Sequence, residues 1–408
     1  MRHMSANAVP ESSITRREEA SATQVVCCAD HGEEKLIVDQ RLVSPDVEGL
    51  DDGEARRVRM TVSCRDSDGI RKVEDAGQVQ VRDGQAVQVM HNGLLIEEGC
   101  YFGPWMTEII RGLAGHHEPQ EELIFDAIIA RLAQLNIDKP AIIEFGSFWS
   151  YYSLWFCRAL NGARAVAMEP DPAYLDVGER NARLNGLAES VHFLHGVVGP
   201  QPGQPMNFRT ESTNDEISVI QHDLASLMEL EGLCEVDLAM VDIQGAETVL
   251  LDRARPLLAA GKVRFLIVST HHQSISGDPL THQRALDLLR DCGAHIIAEH
   301  TVRESYSGDG LIGATFDAGQ HDFTVPISHA RAKESLFGEP EYELAALNHE
   351  IAHRDRLVGE CDQEVNVLRS ELAASRVEVA TIHQTRLWKW SSVPRAQYAR
   401  LRRSGRPR

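Results

Sequence analysis

The 408-residue chain contains no uninterrupted apolar run of about 18 residues and no secretory-type apolar segment at its start, so it is expected to be neither membrane-spanning nor secreted. None of its eight cysteines forms a CxxC pair, and Cys27 and Cys28 are adjacent. That usage indicates neither a zinc site nor a disulfide framework, and it fits a reducing cytoplasm. Positive charge is scarce: 41 Lys and Arg stand against 61 Asp and Glu, a formal net charge of -20. A general nucleic-acid binder needs basic surface to neutralise phosphates, and the main body lacks it. The exception is the end of the chain, where residues 386–408 carry eight Arg or Lys and no acid. Such a tail suits a membrane surface or an acidic partner, or is simply solvated. The 43% hydrophobic content supports a sizeable core, and the length leaves room for one domain of roughly 200 to 250 residues with flanking pieces.

Residues 1–34 are polar and aperiodic and are expected to form a disordered leader. Residues 35–98 carry the alternating runs LIVDQRLV, VRMTVSC, GQVQVRD and AVQVMHNGLLI, which predict a small β-rich lead-in. Asp83-Gly84 marks a hairpin turn between the last two. The stretch 99–135 predicts two helices broken between Gly115 and Pro119, with Pro119, Glu121 and Glu122 in the first turn of the second. Strands then alternate with helices near 141, 164, 191, 236 and 263, and AHIIAEHT (294–301) with GLIGATF (310–316) predicts an antiparallel edge hairpin. The expectation for 99–325 is therefore α/β: a doubly wound, mostly parallel, seven-stranded sheet covered on both faces.

The segment AIIEFGSFWSYYSLWF, 141–156, runs from an apolar strand through a glycine turn into an aromatic helix. A second apolar strand ends at Glu169, where a carboxylate can accept the two hydrogen bonds of a ribose diol. A dinucleotide site would need GxGxxG, yet only Gly146 is present, and Phe148, Trp149, Tyr151 and Tyr152 crowd the positions after it. A cofactor without phosphates tolerates that bulk, and S-adenosylmethionine is such a cofactor. Glu144 then stands where a carboxylate meets an ammonium group. Glu144, Phe145, Gly146, Ser147, Glu169 and Pro170 are the expected cofactor residues.

Three stretches resemble the FkbM-type S-adenosylmethionine-dependent methyltransferases, a branch of the class I Rossmann-like fold: EFGSFWSYYS, MEPDP, and VDLAMVDIQGAETVLL at 236–251, which is similar to the family's "IDVEGAE" signature. Ile243-Gln244 replaces the usual Val-Glu, and the first turn lacks the glycines of the usual "DIGAN-x-G". The resemblance implies a methyltransferase whose Asp223, ahead of the fourth strand, lines the adenine side. Asp242 ends a strand at the carboxyl edge of the sheet and is the candidate for orienting a nucleophile. His272, with His271 behind it, is the candidate general base, because imidazole titrates near neutral pH. Glu247 is either a catalytic acid or a first-turn helix acid. No metal is expected, since Asp242, Glu247 and His272 match no compact ligand spacing. His116, His117 and Glu118 read as a helix start, with an acceptor wall as the alternative.

From 344 to 382 a heptad seam runs through Leu344, Leu347, Ile351, Arg354, Val358, Cys361, Val365, Leu368, Leu372, Ser375, Val379 and Ile382. Residues 339–386 are accordingly expected to form a coiled coil that self-associates, followed by the basic tail 387–408. RLWKWSSVPRAQYARLRR resembles a "WR-x-T-x-PLR" element of proteins of surface-polysaccharide assembly, carried here by Trp388, Lys389, Trp390, Pro394 and Arg395. Together these point to O-methylation of a hydroxyl on a sugar, glycan or natural-product acceptor, in the cytoplasm or at the inner membrane face, in contact with a biosynthetic complex. The alternative is a non-catalytic scaffold working through its coiled coil and tail.

Overall fold

The computed structural model describes residues 44–330 and 340–404. The expected leader, the strand LIVDQRLV and the last four residues of the tail lie outside them. The lead-in begins with helix α1 (Asp52–Ser63), whose Asp51 and Glu54 form a reciprocal capping box. VRMTVSC, expected as a strand, instead lies at the end of this helix. Ala55, Val58 and Thr61 fall at helical spacing and bury one face, and that packing outweighs the β preference of its Val and Thr residues. Strands β1 (Val79–Arg82), β2 (Gln85–Val89) and β3 (Leu95–Glu97) form an antiparallel meander. The β1–β2 turn is the expected one: Asp83 and Gly84 both have positive φ, 51° and 83°, as a two-residue hairpin with the right twist requires.

Helices α2 (Pro104–Gly112) and α3 (Pro119–Leu135) follow, each opened by a proline. The main fold comprises β4 (Ala141–Phe145), α4 (Tyr151–Ala159), β5 (Arg164–Glu169), α5 (Pro172–Leu184), β6 (Val191–His195), β7 (Val197–Val198), β8 (Pro205–Arg209), β9 (Glu216–His222), α6 (Leu224–Leu230), β10 (Val236–Val241), α7 (Glu247–Ala259), β11 (Val263–Thr270), α8 (Gln273–Ser276), α9 (Thr281–Asp291), β12 (His295–His300) and β13 (Gly310–Thr315). Its seven-stranded sheet has the order β12-β13-β11-β10-β4-β5-β6. Every pairing is parallel except those of β13, which runs antiparallel between β11 and β12. This is the class I methyltransferase arrangement expected from the sequence. One connection is richer than expected, because β8 and β9 form a hairpin between β6 and α6.

The chain leaves β4 toward β5 on one side and leaves β10 toward β11 on the other. The carboxyl ends of β4 and β10 therefore flank the switch point, where open α/β sheets bind ligands. Alternating strand residues feed two cores. Ile142, Leu238, Met240, Phe265 and Ile267 face the side covered by α3, α4 and the lead-in, while Ile143, Phe145, Val241, Leu266 and Val268 face α6, α7 and α9. Val58, Met90, Leu94 and Ile96 of the lead-in belong to the first core. Two backbone contacts bind the lead-in further: the β3 amides of Leu95 and Glu97 donate to Asn185 and Asn181 of α5.

After β13 come α10 (Pro340–Gln384), α11 (Arg386–Trp390) and α12 (Ser392–Ser404). Among the described residues no helix is long and apolar enough to cross a membrane.

Gly115 tests how tightly the lead-in must seat. Its φ is +91°, its carbonyl accepts from the His91 amide, and a Cβ would stand 2.2 Å from that nitrogen. Gly115→Ala should lower unfolding stability by at least about 2 kcal/mol in denaturant titration; a change under about 0.5 kcal/mol would mean that the contact is not needed.

Candidate active site

The turn after β4 is built by unusual backbone. Gly146 has φ +78°, Phe148 +38° and Ser150 +60°, so the chain doubles back tightly before α4. The amides of Gly146 and Ser147 both donate to the Met168 carbonyl, and the Asp242 amide donates to the Phe145 carbonyl. These bonds draw the ends of β4, β5 and β10 together. A Cβ on Gly146 would lie 1.7 Å from the Asp242 carbonyl oxygen, so no other residue fits.

Above this junction lies a cavity of about 310 Å³. Of the residues expected for the cofactor, Glu144, Gly146, Ser147, Glu169 and Pro170 line it, as does Asp242. Both oxygens of Glu169 are held by backbone amides: Oε2 accepts from Phe148 at 3.0 Å and Oε1 from Asp171 at 2.9 Å. Burial pushes its carboxyl up to about 7 despite those bonds. Glu144 accepts from the Ser153 amide at 3.0 Å, and burial pushes it up to about 8. The Ser147 hydroxyl is buried without a partner among the described residues.

Four expected site residues lie elsewhere. Phe145 points into the α6/α7/α9 core. Asp223 is not among the residues that line this cavity; it caps α6 by accepting from the Ser226 amide and pairs with Arg253 at 2.7 Å. His272 caps the short helix α8, accepting from the Ser274 amide. Glu247 is buried beneath the cavity wall in the first turn of α7.

It is His271, one residue before the expected histidine, that meets the carboxylates. Its Nε2 lies 3.1 Å from Asp242 Oδ1 and 3.8 Å from Asp309 Oδ1, and its Nδ1 lies 2.7 Å from Glu247 Oε1. Burial alone would lower its pKa, but the bond to Asp242, the charge of Asp309 and the bond to Glu247 together hold it well above the usual histidine value. With both ring nitrogens beside carboxylates, His271 is placed to hold the Asp242 side chain. The two histidines stand at a junction, His271 directly after β11 and His272 at the cap of α8, and nothing in their local sequence shows which one turns toward Asp242.

The stretch that follows the lead-in supplies a wall. Tyr101, Phe102, His117 and Glu118 all line the cavity. Tyr101 stacks on Trp149 at 4.4 Å, and Phe148 stacks on Tyr174 at 3.7 Å. Glu118 is raised well above the usual carboxylate range by burial and by Glu121, Asp309 and Asp242 nearby. His117 is held from behind by Glu122, which sits 2.6 Å from its Nδ1 and also pairs with His116. His91, His116 and Glu122 bring ligand-type atoms within 4.8 Å of one another. The two imidazoles are stacked 4.1 Å apart at 15°, however, and lone pairs lying in such nearly parallel planes do not converge on one ion. The β8–β9 hairpin region closes the opposite side with Phe208, Arg209 and Glu211. Its residues carry no motif, and only the folded hairpin brings them to the cavity.

The donor set fits S-adenosylmethionine: a fixed carboxylate at the ribose position, a second beside the turn, aromatic walls, and a glycine cradle that brings backbone close. Residues 136–296 match the family model described as "Methyltransferase FkbM domain". That segment, under half of the chain, is thus similar to the FkbM methyltransferase domain, and the cofactor indicated is S-adenosylmethionine. The particular relatives are more distant. A stretch of 79 residues is 30% identical to the release factor glutamine methyltransferase of Chlorobaculum tepidum, covering 19% of this chain and only 27% of that protein. Among solved structures, the METTL16 methyltransferase domain is 16% identical, with a TM-score of 0.35, over 57% of this chain and 87% of that one. TrmK of M. capricolum, solved with S-adenosyl-homocysteine, is 13% identical, with a TM-score of 0.30, over 57% and 85%.

The Glu144 carboxyl carries a pH signature. Its folded pKa lies above the unfolded value, so between about pH 4.5 and 8 the folded state holds the extra proton and stability falls as pH rises. Glu144→Gln removes that burden. The melting temperature of the ligand-free variant should exceed that of the parent at pH 8.5, with the gap closing toward pH 4.5; a pH-independent gap would show that Glu144 is not the group responsible.

Proposed function

We propose that the chain is an S-adenosylmethionine-dependent methyltransferase that methylates a hydroxyl of a sugar, glycan or related natural-product acceptor. The observation that carries this reading is that Glu169 and Asp242 line one and the same cavity, beside the close approach of Gly146 to the Asp242 backbone. When bound, S-adenosylmethionine supplies an electrophilic methyl group on a sulfonium centre. Glu169, oriented by the Phe148 and Asp171 amides, accepts from the ribose hydroxyls, and Glu144 lies on the side of the amino-acid tail. Asp242 orients the acceptor hydroxyl and takes its proton, while His271 holds the carboxylate in place through Nε2. Alignment is the larger requirement of an in-line displacement, and the closed aromatic wall supports it by limiting the poses available.

A sugar acceptor is favoured by the wall itself. Aromatic side chains at Tyr101 and Phe102, lining the same cavity as the Glu118 and Asp242 carboxyls, suit a ring with apolar C–H faces and hydroxyl edges. The scaffold alternative keeps one support, the sparse glycines of the first turn, but Phe148 and Ser150 adopt the left-handed backbone that glycines would otherwise supply.

Titration calorimetry with S-adenosylmethionine is the first test, and a folded sample without binding heat would sink the enzyme reading. Glu169→Ala should weaken binding at least about 10-fold, in line with losing a charged hydrogen-bond acceptor. Affinity in the parent should rise from pH 6 to pH 8.5, because a cationic ligand prefers the ionised Glu144 and Glu169 carboxylates; a flat profile would place the cofactor elsewhere.

For the chemistry, Asp242→Asn should cut kcat by about 100-fold or more with cofactor affinity nearly unchanged. His271→Gln should lower kcat with little effect on the KM for cofactor, whereas His272→Ala should leave both close to the parent. Equal effects of the two histidine variants would contradict the assignment. Label transferred from S-adenosylmethionine to a glycan fraction should be recovered as a methyl ether after hydrolysis; recovery only as an N-methyl group would overturn the hydroxyl acceptor.

A further inference from the structure

We propose that α10 is one strand of a parallel, in-register, two-stranded coiled coil whose other strand is α10 of a second copy of this chain. The helix runs unbroken for 45 residues, about 68 Å at 1.5 Å per residue. Its seam is uncovered: Leu344, Leu347, Ile351, Val358, Leu368 and Leu372 are each more than half exposed. A row of such side chains over more than five heptads calls for a partner of the same period.

The flanking charges choose the direction. With Leu344 at position a, the g positions include Glu350, Glu364, Glu371 and Glu378, and the later e positions are Arg369, Arg376 and His383. Antiparallel strands set g against g, glutamate against glutamate along the seam. Parallel strands in register set each g against the following e of the other copy, which pairs Glu364 with Arg369, Glu371 with Arg376 and Glu378 with His383. One upstream pair is unfavourable, Glu350 against Asp355, but Glu350 already binds Arg354 of its own helix at 2.7 Å.

The seam also selects the number of strands. Ile351, Val358, Val365 and Val379 place β-branched side chains at a, which favours two strands. Arg354 at d can send its guanidinium out of the open flank of a dimer, as its bond to Glu350 shows. A parallel pair places both basic C-terminal segments at the same end, doubling the local positive charge.

Sedimentation velocity and site-directed cross-linking on the full chain test this. The parent should sediment as a dimer at micromolar concentration, and Leu368→Glu with Leu372→Glu should raise the dissociation constant at least 100-fold while circular dichroism shows the body still folded. In a Cys361→Ser background, Ser375→Cys at d should form an intermolecular disulfide under mild oxidation, and Ser370→Cys at the outer f position should not. A monomeric parent, a trimer, a dimer indifferent to the Leu368/Leu372 double variant, or a dimer whose Ser375→Cys form fails to cross-link would each overturn the proposal.

Discussion

The approach of the Gly146 turn to the end of β10 is the constraint on which the site depends. Gly146 leaves no space for a side chain before the Asp242 carbonyl, and the Asp242 amide returns a bond to Phe145. That closeness places the Asp242 side chain beside the turn and so beside Glu144. It also explains the strained backbone that follows: having been drawn in by Gly146, the chain needs positive φ at Phe148 and Ser150 to turn out into α4. The Phe148 amide is thereby aimed at Glu169. One close contact thus fixes three carboxylates around a common space.

Burial of those carboxylates sets the electrostatic character of the cavity. Glu144, Glu169 and Glu118 are all pushed upward by desolvation; backbone amides oppose it at Glu169, the Ser153 hydroxyl and amide oppose it at Glu144, and neighbouring acids reinforce it at Glu118. An uncharged ligand would leave that arrangement as it is, whereas a cationic ligand would draw the carboxylates into their ionised forms. His271 represents the opposite solution. It lies within reach of Asp242, Glu247 and Asp309, and those carboxylates hold its pKa well above the usual histidine value against the effect of burial. The lead-in has the same internal logic, with Glu122 held well below the usual carboxylate range; its burial is opposed by His116 and His117.

The sheet was legible in the sequence because its strands are buried on both faces and so read as short apolar runs separated by helical stretches. Glu169 and Asp242 were legible because each follows such a run directly, at the carboxyl edge. VRMTVSC was misread because a short stretch rich in Val and Thr resembles a strand, and only the packing of Ala55, Val58 and Thr61 on the domain selects the helix. Asp223 shows a related ambiguity: a carboxylate just after a strand can face a ligand or cap the next helix, and here it caps α6 and pairs with Arg253.

What the sequence determined by itself was local in origin: strand and helix periods, the Asp-Gly turn, the heptads, and the strand-end acids. Such features follow from a few consecutive residues and need no partner distant in the chain. The tertiary structure alone decided which of two adjacent histidines meets Asp242, that Tyr101 stacks on Trp149, and that Phe208 and Glu211 line the same cavity. Each of these depends on the relative placement of elements tens of residues apart, and that placement is set by packing around the sheet and by the Gly146 contact, not by any neighbouring residue.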